Sequence, residues 1–457
     1  MKKREIPVVK NEDYMMDVED LGVNGEGIGK ILGYTVFVDG ALPGDRVRVK
    51  VIKTKGNYGY GKLLDIAMPS PQRVEPPCRI AMQCGGCQIQ HLSYQGQLAY
   101  KQAHVGNCFR RIAGMEEVPM APILGMEDPF HYRNKVQFPV REVQGRIAIG
   151  FYAARSHRVV ETDVCHIQDR FNEEIIRRVR KFMEENRVRA YDEERHKGLV
   201  RHVLTRKSHH SGEFHVTLVI NGKSLPQAEA LVVAFGDLPR VTGISLNFNE
   251  EKTNVILGRR TQILFGEPYL EDRIGDVRFM ISPNSFYQVN PVQTKVLYEK
   301  ALEYAGLTGS ETVWDIYCGI GTISLFLAQK AKQVYGVEVV ESAIQDARRN
   351  AEANGMKNVE FFVGEAEQVL PEKFAKEGIR ADVIVVDPPR KGCDPAVIGT
   401  ILEMGPARVV YVSCDPATLA RDVKLLAEGG YRLEEVQPVD MFPHSVHVET
   451  VVLLSRV

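Results

Sequence analysis

From Thr312 onward, short apolar runs alternate with amphipathic segments along the chain. The runs are typical of strands, and the segments between them, such as 341–354, have apolar residues at helical spacing. The predicted strands are 313–316, 333–338, 359–363, 382–387 and 408–412. Apolar strands that alternate with amphipathic helices specify a doubly wound parallel α/β sheet with both faces covered. Residues 431–439 and 447–454 are predicted to finish this sheet as an antiparallel hairpin at its edge.

The first 70 residues have a different pattern, in which short β-rich runs alternate with glycine turns. This spacing predicts a small closed barrel, and prolines between 69 and 77 indicate a linker after it. The runs lie at 25–30, 34–38, 45–53 and 59–66. Cations and aromatic residues interleave at Lys53, Lys55, Tyr58, Tyr60 and Lys62. This composition suits phosphate contacts and base stacking, and it equally suits a solvated hairpin with packing tyrosines.

Between about 125 and 280 the pattern indicates a mixed α/β region. Alternating apolar residues surround the cations of 132–135 and 201–207, which predicts strands with a basic face. A solvated sheet surface explains the same pattern nearly as well.

The chain has 457 residues, which favours two or three domains. Lys plus Arg (58) nearly balances Asp plus Glu (59), so any nucleic-acid binding must come from local patches. There is no run of about 18 apolar residues and no signal peptide, so we expect a cytoplasmic protein without membrane contact. In that setting the eight cysteines are expected to be reduced thiols, metal ligands or catalytic groups.

Three cysteines cluster after the barrel, at Cys78, Cys84 and Cys87. The two-residue spacing, with glycines between, lets Cys84 and Cys87 turn toward one centre, and Cys165 is the best candidate for a fourth ligand. The spacing leaves zinc and an iron–sulfur cluster both open. A redox-active dithiol at Cys84 and Cys87, or chance clustering, is a further alternative.

A glycine-rich loop follows the first predicted strand of the C-terminal half, in Asp315-Ile-Tyr317-Cys-Gly319-Ile-Gly321. Gly319 and Gly321 let backbone approach a ligand closely. Glu338 ends the next strand, where a carboxylate can accept both ribose hydroxyls of an adenosyl group. The loop lacks the third glycine of the dinucleotide fingerprint, which favours S-adenosylmethionine over NAD. A purely structural glycine turn is the alternative.

Three further residues suggest covalent methyl transfer. Asp387 ends a strand before Pro-Pro-Arg390, where open α/β sheets bind ligands, although it could merely cap the next segment. Cys414 follows a buried strand, and Glu449 lies in a later one. A lone cysteine is usually an inert core residue. A thiol and an acid that share a sheet with a cofactor loop instead indicate a methyltransferase that first attacks its substrate covalently.

Taken in order, these motifs resemble those of the RNA uracil-5-methyltransferases. They are Cys78-x5-Cys84-x2-Cys87 with Cys165, Phe286-x-Gln288-x-Asn290, Asp315-x-Tyr317-Cys-Gly-x-Gly321, Asp387-Pro-Pro-Arg390, Ser413-Cys414-Asp-Pro416 and His447-x-Glu449. The chain looks like the ribosomal-RNA branch. The barrel, with its Gly-Glu-Gly-Ile-Gly opening and its Leu42-Pro-Gly-Asp45 turn, resembles a TRAM domain, an RNA-binding barrel of OB type.

The resemblance implies a fold and a domain plan. It implies a TRAM barrel over 1–69, a central α+β domain over 70–280 and a class I, Rossmann-like methyltransferase domain over 281–457. The segment near 93–124 is expected to pack on the catalytic domain. We expect a monomer whose partner is 23S ribosomal RNA, with S-adenosylmethionine and a [4Fe-4S] cluster on the four cysteines.

The resemblance also implies residue roles. Gln288, Tyr317, Glu338 and Asp387 correspond to cofactor or uracil contacts, Cys414 to the nucleophile and Glu449 to the base. The sequence departs from the family at Thr322, where an asparagine is common. The alternatives are a transfer-RNA uracil-5-methyltransferase, against which the barrel and cysteines argue, and an iron–sulfur electron carrier or RNA-binding assembly factor, in which Cys414 and Glu449 would be dispensable.

Overall fold

A computed structural model describes residues 6–457. Its N-terminal part is a closed barrel with the strand order β1-β2-β3-β5-β4. The strands are β1 (Asp13–Leu21), β2 (Gly27–Ile31), β3 (Tyr34–Val38), β4 (Arg46–Thr54) and β5 (Tyr58–Met68). The alternation in β4 explains the closure, since Val47, Val49 and Val51 are buried inside while Arg46 and Arg48 face outward. The predicted N-terminal barrel is confirmed.

The cysteine segment, residues 69–93, follows the barrel and contains turns and isolated bridges. Helix α1 (Tyr94–Cys108) comes next, with Ser93 as its N-cap, and it continues into a π-helical turn at Phe109–Ala113. Val105 and Phe109 are fully buried in the same apolar core as Trp314 of the C-terminal sheet. This helix therefore packs on the C-terminal sheet, far from it in sequence.

The central part is a seven-stranded sheet with one face covered by two helices. Its elements are β6 (Lys135–Val143), β7 (Arg146–Tyr152), β8 (Val159–Glu161), α2 (Phe171–Glu185), β9 (Val200–Lys207), β10 (Phe214–Ile220), α3 (Ala228–Ala234), β11 (Val241–Phe248) and β12 (Arg260–Gly266). The strand order is β12-β11-β10-β9-β6-β7-β8. Its apolar core lies between the sheet and the helices, with Val203, Val216 and Phe182 buried there.

A hairpin and a second seven-stranded sheet form the C-terminal part. The elements are β13 (Leu270–Ile274), β14 (Val277–Ile281), α4 (Pro291–Ala305), β15 (Thr312–Ile316), α5 (Thr322–Ala328), β16 (Gln333–Glu338), α6 (Glu341–Ala353), β17 (Val359–Val363), α7 (Ala366–Glu377), β18 (Val383–Val386), α8 (Pro395–Met404), β19 (Arg408–Ser413), α9 (Pro416–Glu428), β20 (Tyr431–Val439) and β21 (Glu449–Arg456). The hairpin packs into the core of this sheet through Ile274 and Phe279.

The order of the C-terminal sheet is β17-β16-β15-β18-β19-β21-β20. The first five strands are parallel, and β21 pairs antiparallel with both β19 and β20. The predicted doubly wound sheet and its antiparallel end are thus confirmed, with β21 starting at Glu449. No helix of the described residues is long and apolar enough to cross a membrane.

Candidate active site

The register of the parallel strands brings three sequence-predicted residues to one edge of the C-terminal sheet. Ile316 pairs with Val337 on one side and with Val386 on the other. Tyr317, Glu338 and Asp387 each come one residue later, where these strands end. Because the ladders are in register, the three residues lie side by side along this carboxyl edge.

The antiparallel pairing of β19 and β21 adds Cys414 and Glu449 to the same edge. Ser413 at the end of β19 pairs with Thr450 of β21, so one residue further along Cys414 comes opposite Glu449. Residues opposed in this way have Cβ atoms about 4.5–5.5 Å apart in a regular ladder. The sheet therefore brings the candidate nucleophile and the candidate base together.

The loop that starts helix α5 has the backbone shape its glycines predict. Gly319 and Gly321 have φ values of 55° and 79°, and Tyr317 between β15 and this loop has 69°. A Cβ atom on Gly321 would lie 3.0 Å from the Phe361 ring and 3.2 Å from the Ala347 side chain. Glycine is required at 321 both by its conformation and by this close approach.

The Glu338 carboxylate is oriented by backbone groups of two loops. Its Oε2 accepts a hydrogen bond from Gly319 N at 3.3 Å, and its Oε1 accepts one from Val340 N at 3.0 Å. The carboxylate thus joins the glycine loop to the end of β16. It remains half-buried, with capacity to accept further donors such as a diol.

Two carboxyls of this edge, Asp387 and Glu449, have raised pKa values. Burial raises the pKa of Asp387 to about 7. Burial, with a further contribution from the charge of Asp387, raises the pKa of Glu449 to about 8, while Arg390 opposes that rise. A carboxylate with a pKa near 8 is a stronger base than an exposed one, and a carboxyl with a pKa near 7 can also donate a hydrogen bond.

Cys414 lies between the end of β19 and the start of α9, and it is only partly buried. Asp415 caps α9 by accepting hydrogen bonds from Ala417 N at 2.9 Å and Thr418 N at 3.1 Å, which ends the strand at this point. Burial, and then the charges of Glu449 and Asp387, raise the pKa of the thiol to about 11, whereas Arg390 lowers it. An inert cysteine is normally enclosed, as Cys108 is.

Gln288 is buried beside the start of α4 and is held through its backbone. Its carbonyl accepts a hydrogen bond from Asn134 Nδ2 at 3.0 Å, and Asn134 N donates to Val289 O at 2.8 Å. The central part of the chain therefore fixes this candidate contact. Sequence reasoning did not single out Asn134, because a polar residue between two cations carries no sign of such a contact.

Tyr298 of α4 is a second residue that the sequence did not reveal. Its hydroxyl shares a hydrogen bond of 2.9 Å with Thr322 Oγ1. Burial and the nearby charges of Asp387, Asp315 and Glu449 raise its pKa. Thr322, the position at which the sequence departs from the family, is therefore held by a hydrogen bond to Tyr298. In the sequence, Tyr298 cannot be distinguished from a packing residue of an apolar helix face.

The four predicted metal cysteines lie in one neighbourhood. Burial raises the pKa of Cys87, and the charges of Cys165, Cys84 and Cys78 raise it further. Burial likewise raises the pKa of Cys165 to about 11, with contributions from Cys84 and Cys78. Among residues 6–457, however, no group of three or more His, Cys, Asp or Glu side chains has the arrangement of a metal site. The four cysteines are therefore neighbours, but among the described residues their side chains do not form the ligand set of a metal site.

Two family models match this chain. The model of the tRNA (uracil-5-)-methyltransferases matches residues 94–457, and the TRAM domain model matches residues 10–64. Together they cover the barrel, the central sheet and the C-terminal sheet.

Similar proteins extend over the whole length. An uncharacterized RNA methyltransferase of Halalkalibacterium halodurans is 53% identical over 100% of this chain and 99% of its own. One from Clostridium tetani is 50% identical over 99% of this chain and 98% of its own. The crystal structure of Pyrococcus abyssi tRNA (uracil-54, C5)-methyltransferase with S-adenosyl-L-homocysteine is 28% identical, with a TM-score of 0.78 over 96% of this chain and 100% of that one.

These matches establish the class as RNA methyltransferases built on a class I sheet. The chain belongs to the RNA (uracil-5-)-methyltransferase family and carries a TRAM domain.

Proposed function

We propose that this protein methylates carbon 5 of a uridine in 23S ribosomal RNA through a covalent adduct with Cys414. The observation that carries the proposal is the pairing of Ser413 with Thr450, which sets Cys414 opposite Glu449. A thiol and a carboxyl face each other here beside Asp387, at the edge where an open α/β sheet binds its ligands. Uracil-5 methylation needs both groups, whereas methylation of a nitrogen or an oxygen needs no nucleophile.

The chemistry divides between the two groups. Carbon 5 of uracil is a poor nucleophile, and addition of the deprotonated Cys414 thiolate to carbon 6 makes an enolate that is nucleophilic at carbon 5. S-adenosylmethionine, when bound, supplies the methyl group. Glu449 then removes the proton from carbon 5, and the electron pair of that bond expels the thiolate from carbon 6. The flanking Arg390 is the cation that favours the thiolate.

Asp387 is suited to bind the uracil edge. Since burial raises its pKa to about 7, this carboxyl can remain protonated and donate a hydrogen bond to the carbonyl oxygen that gains charge in the enolate. Gln288 lies on the segment held by Asn134, and its side-chain amide supplies both donor and acceptor. The target base must leave its stack to reach these groups.

The residues of the glycine loop fit S-adenosylmethionine. Gly319 and Gly321 leave space for a close backbone approach, and the Glu338 carboxylate is oriented at the strand end for the ribose hydroxyls. Tyr317 follows the neighbouring strand end and is the aromatic residue of this loop.

We also propose a [4Fe-4S] cluster on Cys78, Cys84, Cys87 and Cys165. The charges of Cys165, Cys84 and Cys78 each raise the pKa of Cys87, which supports four neighbouring thiols as the residues that would hold the group. The choice of an iron–sulfur cluster over zinc follows the resemblance of these cysteines to those of the family. When bound, the cluster would cross-link the cysteine segment to the chain around Cys165.

RNA binding is supported by the TRAM barrel, whose surface carries an exposed aromatic side chain. On the barrel, Tyr58 is 39% exposed and packs edge-on against Phe37 and Tyr60, leaving part of its ring available for stacking.

A transfer RNA is the second candidate substrate, favoured by the similarity to the Pyrococcus abyssi enzyme over that chain's full length. The alignment covers 96% of this chain, so it must include most of the barrel. The presence of a barrel therefore does not discriminate between the two substrates. The test is to map 5-methyluridine in ribosomal and transfer RNA from cells with and without this protein. Loss from 23S rRNA alone supports the proposal, loss from tRNA alone replaces the substrate, and no loss from either contradicts the function.

A further inference from the structure

The loop between β20 and β21 is fastened to the rest of the molecule at five successive backbone carbonyls. We call residues 440–444 the anchor loop. Its donors are Gln293 Nε2 to Asp440 O (3.1 Å), Asn290 Nδ2 to Met441 O (2.9 Å), Lys101 Nζ to Phe442 O (2.9 Å), Tyr132 OH to Pro443 O (3.1 Å) and Ile89 N to His444 O (3.1 Å). They come from α4, α1, the chain before β6 and the cysteine segment.

A buried ion pair fixes the first residue of the anchor loop. Lys101 Nζ contacts Asp440 Oδ1 at 2.5 Å, and both side chains are fully buried. Tyr94 OH donates to the other oxygen, Asp440 Oδ2, at 2.9 Å. Removing water from two charges is costly, and a pair of this kind sets one geometry rather than adding much stability.

The last residue of the anchor loop is held in an uncommon conformation. His444 has a φ of 69°, in the left-handed region. Gln97 binds it twice, since its Oε1 accepts a hydrogen bond from His444 N at 2.8 Å and its Nε2 lies 3.2 Å from His444 Nδ1. The Phe130 ring stacks on the imidazole at a centroid distance of 4.4 Å. Such a conformation persists only when its surroundings impose it.

Residues of the barrel meet the chain just past this loop. Val446 shares an apolar cluster with Leu21 and Leu42 of the barrel and with Ile89 and Leu92 of the cysteine segment. Three residues later the chain reaches Glu449. The position of this carboxyl thus depends on contacts from every part of the molecule.

We propose that Gln97, Lys101 and Tyr132 are positioning residues that aim Glu449 at the carbon 5 proton of the adduct. The inference rests on the proposed function. Sulfur addition and methyl transfer do not require Glu449, whereas release of the adduct does. Loosening the anchor loop should therefore slow release selectively, because a base displaced by about 1 Å can lose on the order of 10² in rate.

The test compares two tyrosines that make the same kind of bond. Tyr132→Phe removes a hydroxyl that donates to Pro443 O at 3.1 Å, and Tyr431→Phe removes one that donates to Pro406 O at 2.8 Å, away from the loop. Each variant is incubated with methyl-tritiated S-adenosylmethionine and total RNA from cells lacking the protein. Label on the protein–RNA band of a denaturing gel measures the adduct, and label in free RNA measures the product.

We expect Tyr132→Phe to release the adduct about tenfold more slowly, with unchanged affinity for S-adenosylmethionine, so that the adduct accumulates. Tyr431→Phe should release the adduct at the wild-type rate. Gln97→Ala should release it more slowly than Tyr132→Phe does. Adduct decay in Tyr132→Phe at the wild-type rate would overturn the inference. A different result, methylation of RNA by Cys414→Ala, would contradict the proposed function itself. If Gln97→Ala does not fold, Tyr132→Phe still tests the inference, because this variant loses only one oxygen atom.

Discussion

The carboxyl edge of the C-terminal sheet and the cysteine segment are both clusters of titratable side chains, but they are built differently. At the edge, Tyr317, Glu338 and Asp387 follow directly from strands whose ladders are in register. In the cysteine segment the thiols are carried by turns and isolated bridges. Regular hydrogen bonding fixes the first cluster without a ligand, whereas the second has little backbone pairing to hold it and gains most from a bound cluster.

The difference in construction predicts different responses to substitution. A substitution at the carboxyl edge should impair chemistry without lowering stability. A cysteine of the segment should affect stability more than chemistry. Substitutions at Cys414, Glu449, Glu338 and Cys87 test this division, and the largest expected effect is at Cys414.

Cys414→Ala should abolish RNA methylation, lowering the rate by at least about 10³, because no other group can make the enolate. RNA binding and the melting temperature should change little, since the thiol is partly exposed. Cys108→Ala is the matched control, as Cys108 is a buried thiol at the end of α1 to which the proposal gives no chemical role. Methylation by Cys414→Ala at more than a trace level would remove the nucleophile from the proposal.

Glu449→Gln should slow adduct release by about 10² to 10⁴, the usual loss for a positioned base. A protein–RNA band should accumulate on a denaturing gel and vanish when Cys414→Ala is added. In the wild type the rate of release should rise with pH and level off above about 8, where the carboxyl is ionised. A flat pH profile, or normal turnover by the variant, would contradict the assignment.

The same variant should be more stable than the wild type at pH 8. The raised pKa of Glu449 means that the folded protein keeps a proton which the unfolded chain loses near pH 4.5, so the wild type loses stability as pH rises from about 4.5 to 8. Glutamine removes this dependence. Melting curves at pH 4.5 and pH 8 provide the measurement, with the difference between the proteins expected only at the higher pH.

Glu338→Ala should weaken S-adenosylmethionine binding by about 10- to 150-fold, the loss expected for a charge-assisted contact worth about 1.5–3 kcal/mol. Calorimetry with the purified protein measures it. Glu341→Ala, at the exposed start of α6, removes a carboxylate of the same kind nearby and should leave the affinity unchanged. Equal affinities for both variants would argue against the ribose contact.

Cys87→Ala should remove iron and labile sulfide and lower the melting temperature by about 5 °C or more. Affinity for S-adenosylmethionine should stay within about twofold, which separates this cysteine from the carboxyl edge. Anaerobically prepared wild type should be brown, with broad visible absorption. Zinc in stoichiometric amount without iron would replace the cluster by a zinc site.

Much of the carboxyl edge was predictable, because strand periodicity and the right-handed crossover rule decide which strand ends meet. Glu338 and Asp387 could therefore be placed at that edge from the amino-acid sequence alone. The anchor loop could not be predicted, since Lys101 and Asp440 are hundreds of positions apart and each, in the sequence, resembles an exposed charge. Asn134 was missed for the same reason, because its partners, the backbone groups of Gln288 and Val289, leave no trace in side-chain identity.

Strand β21 is synthesised after β20 yet lies between β20 and β19. During translation this edge of β19 therefore stays unpaired until β21 has been synthesised. In the proposed mechanism, a nascent chain has its thiol at Cys414 before it has its acid at Glu449, so an adduct formed at that stage could not be released. Pairing of β21 with β19 covers the open edge and brings in the acid with the same strand.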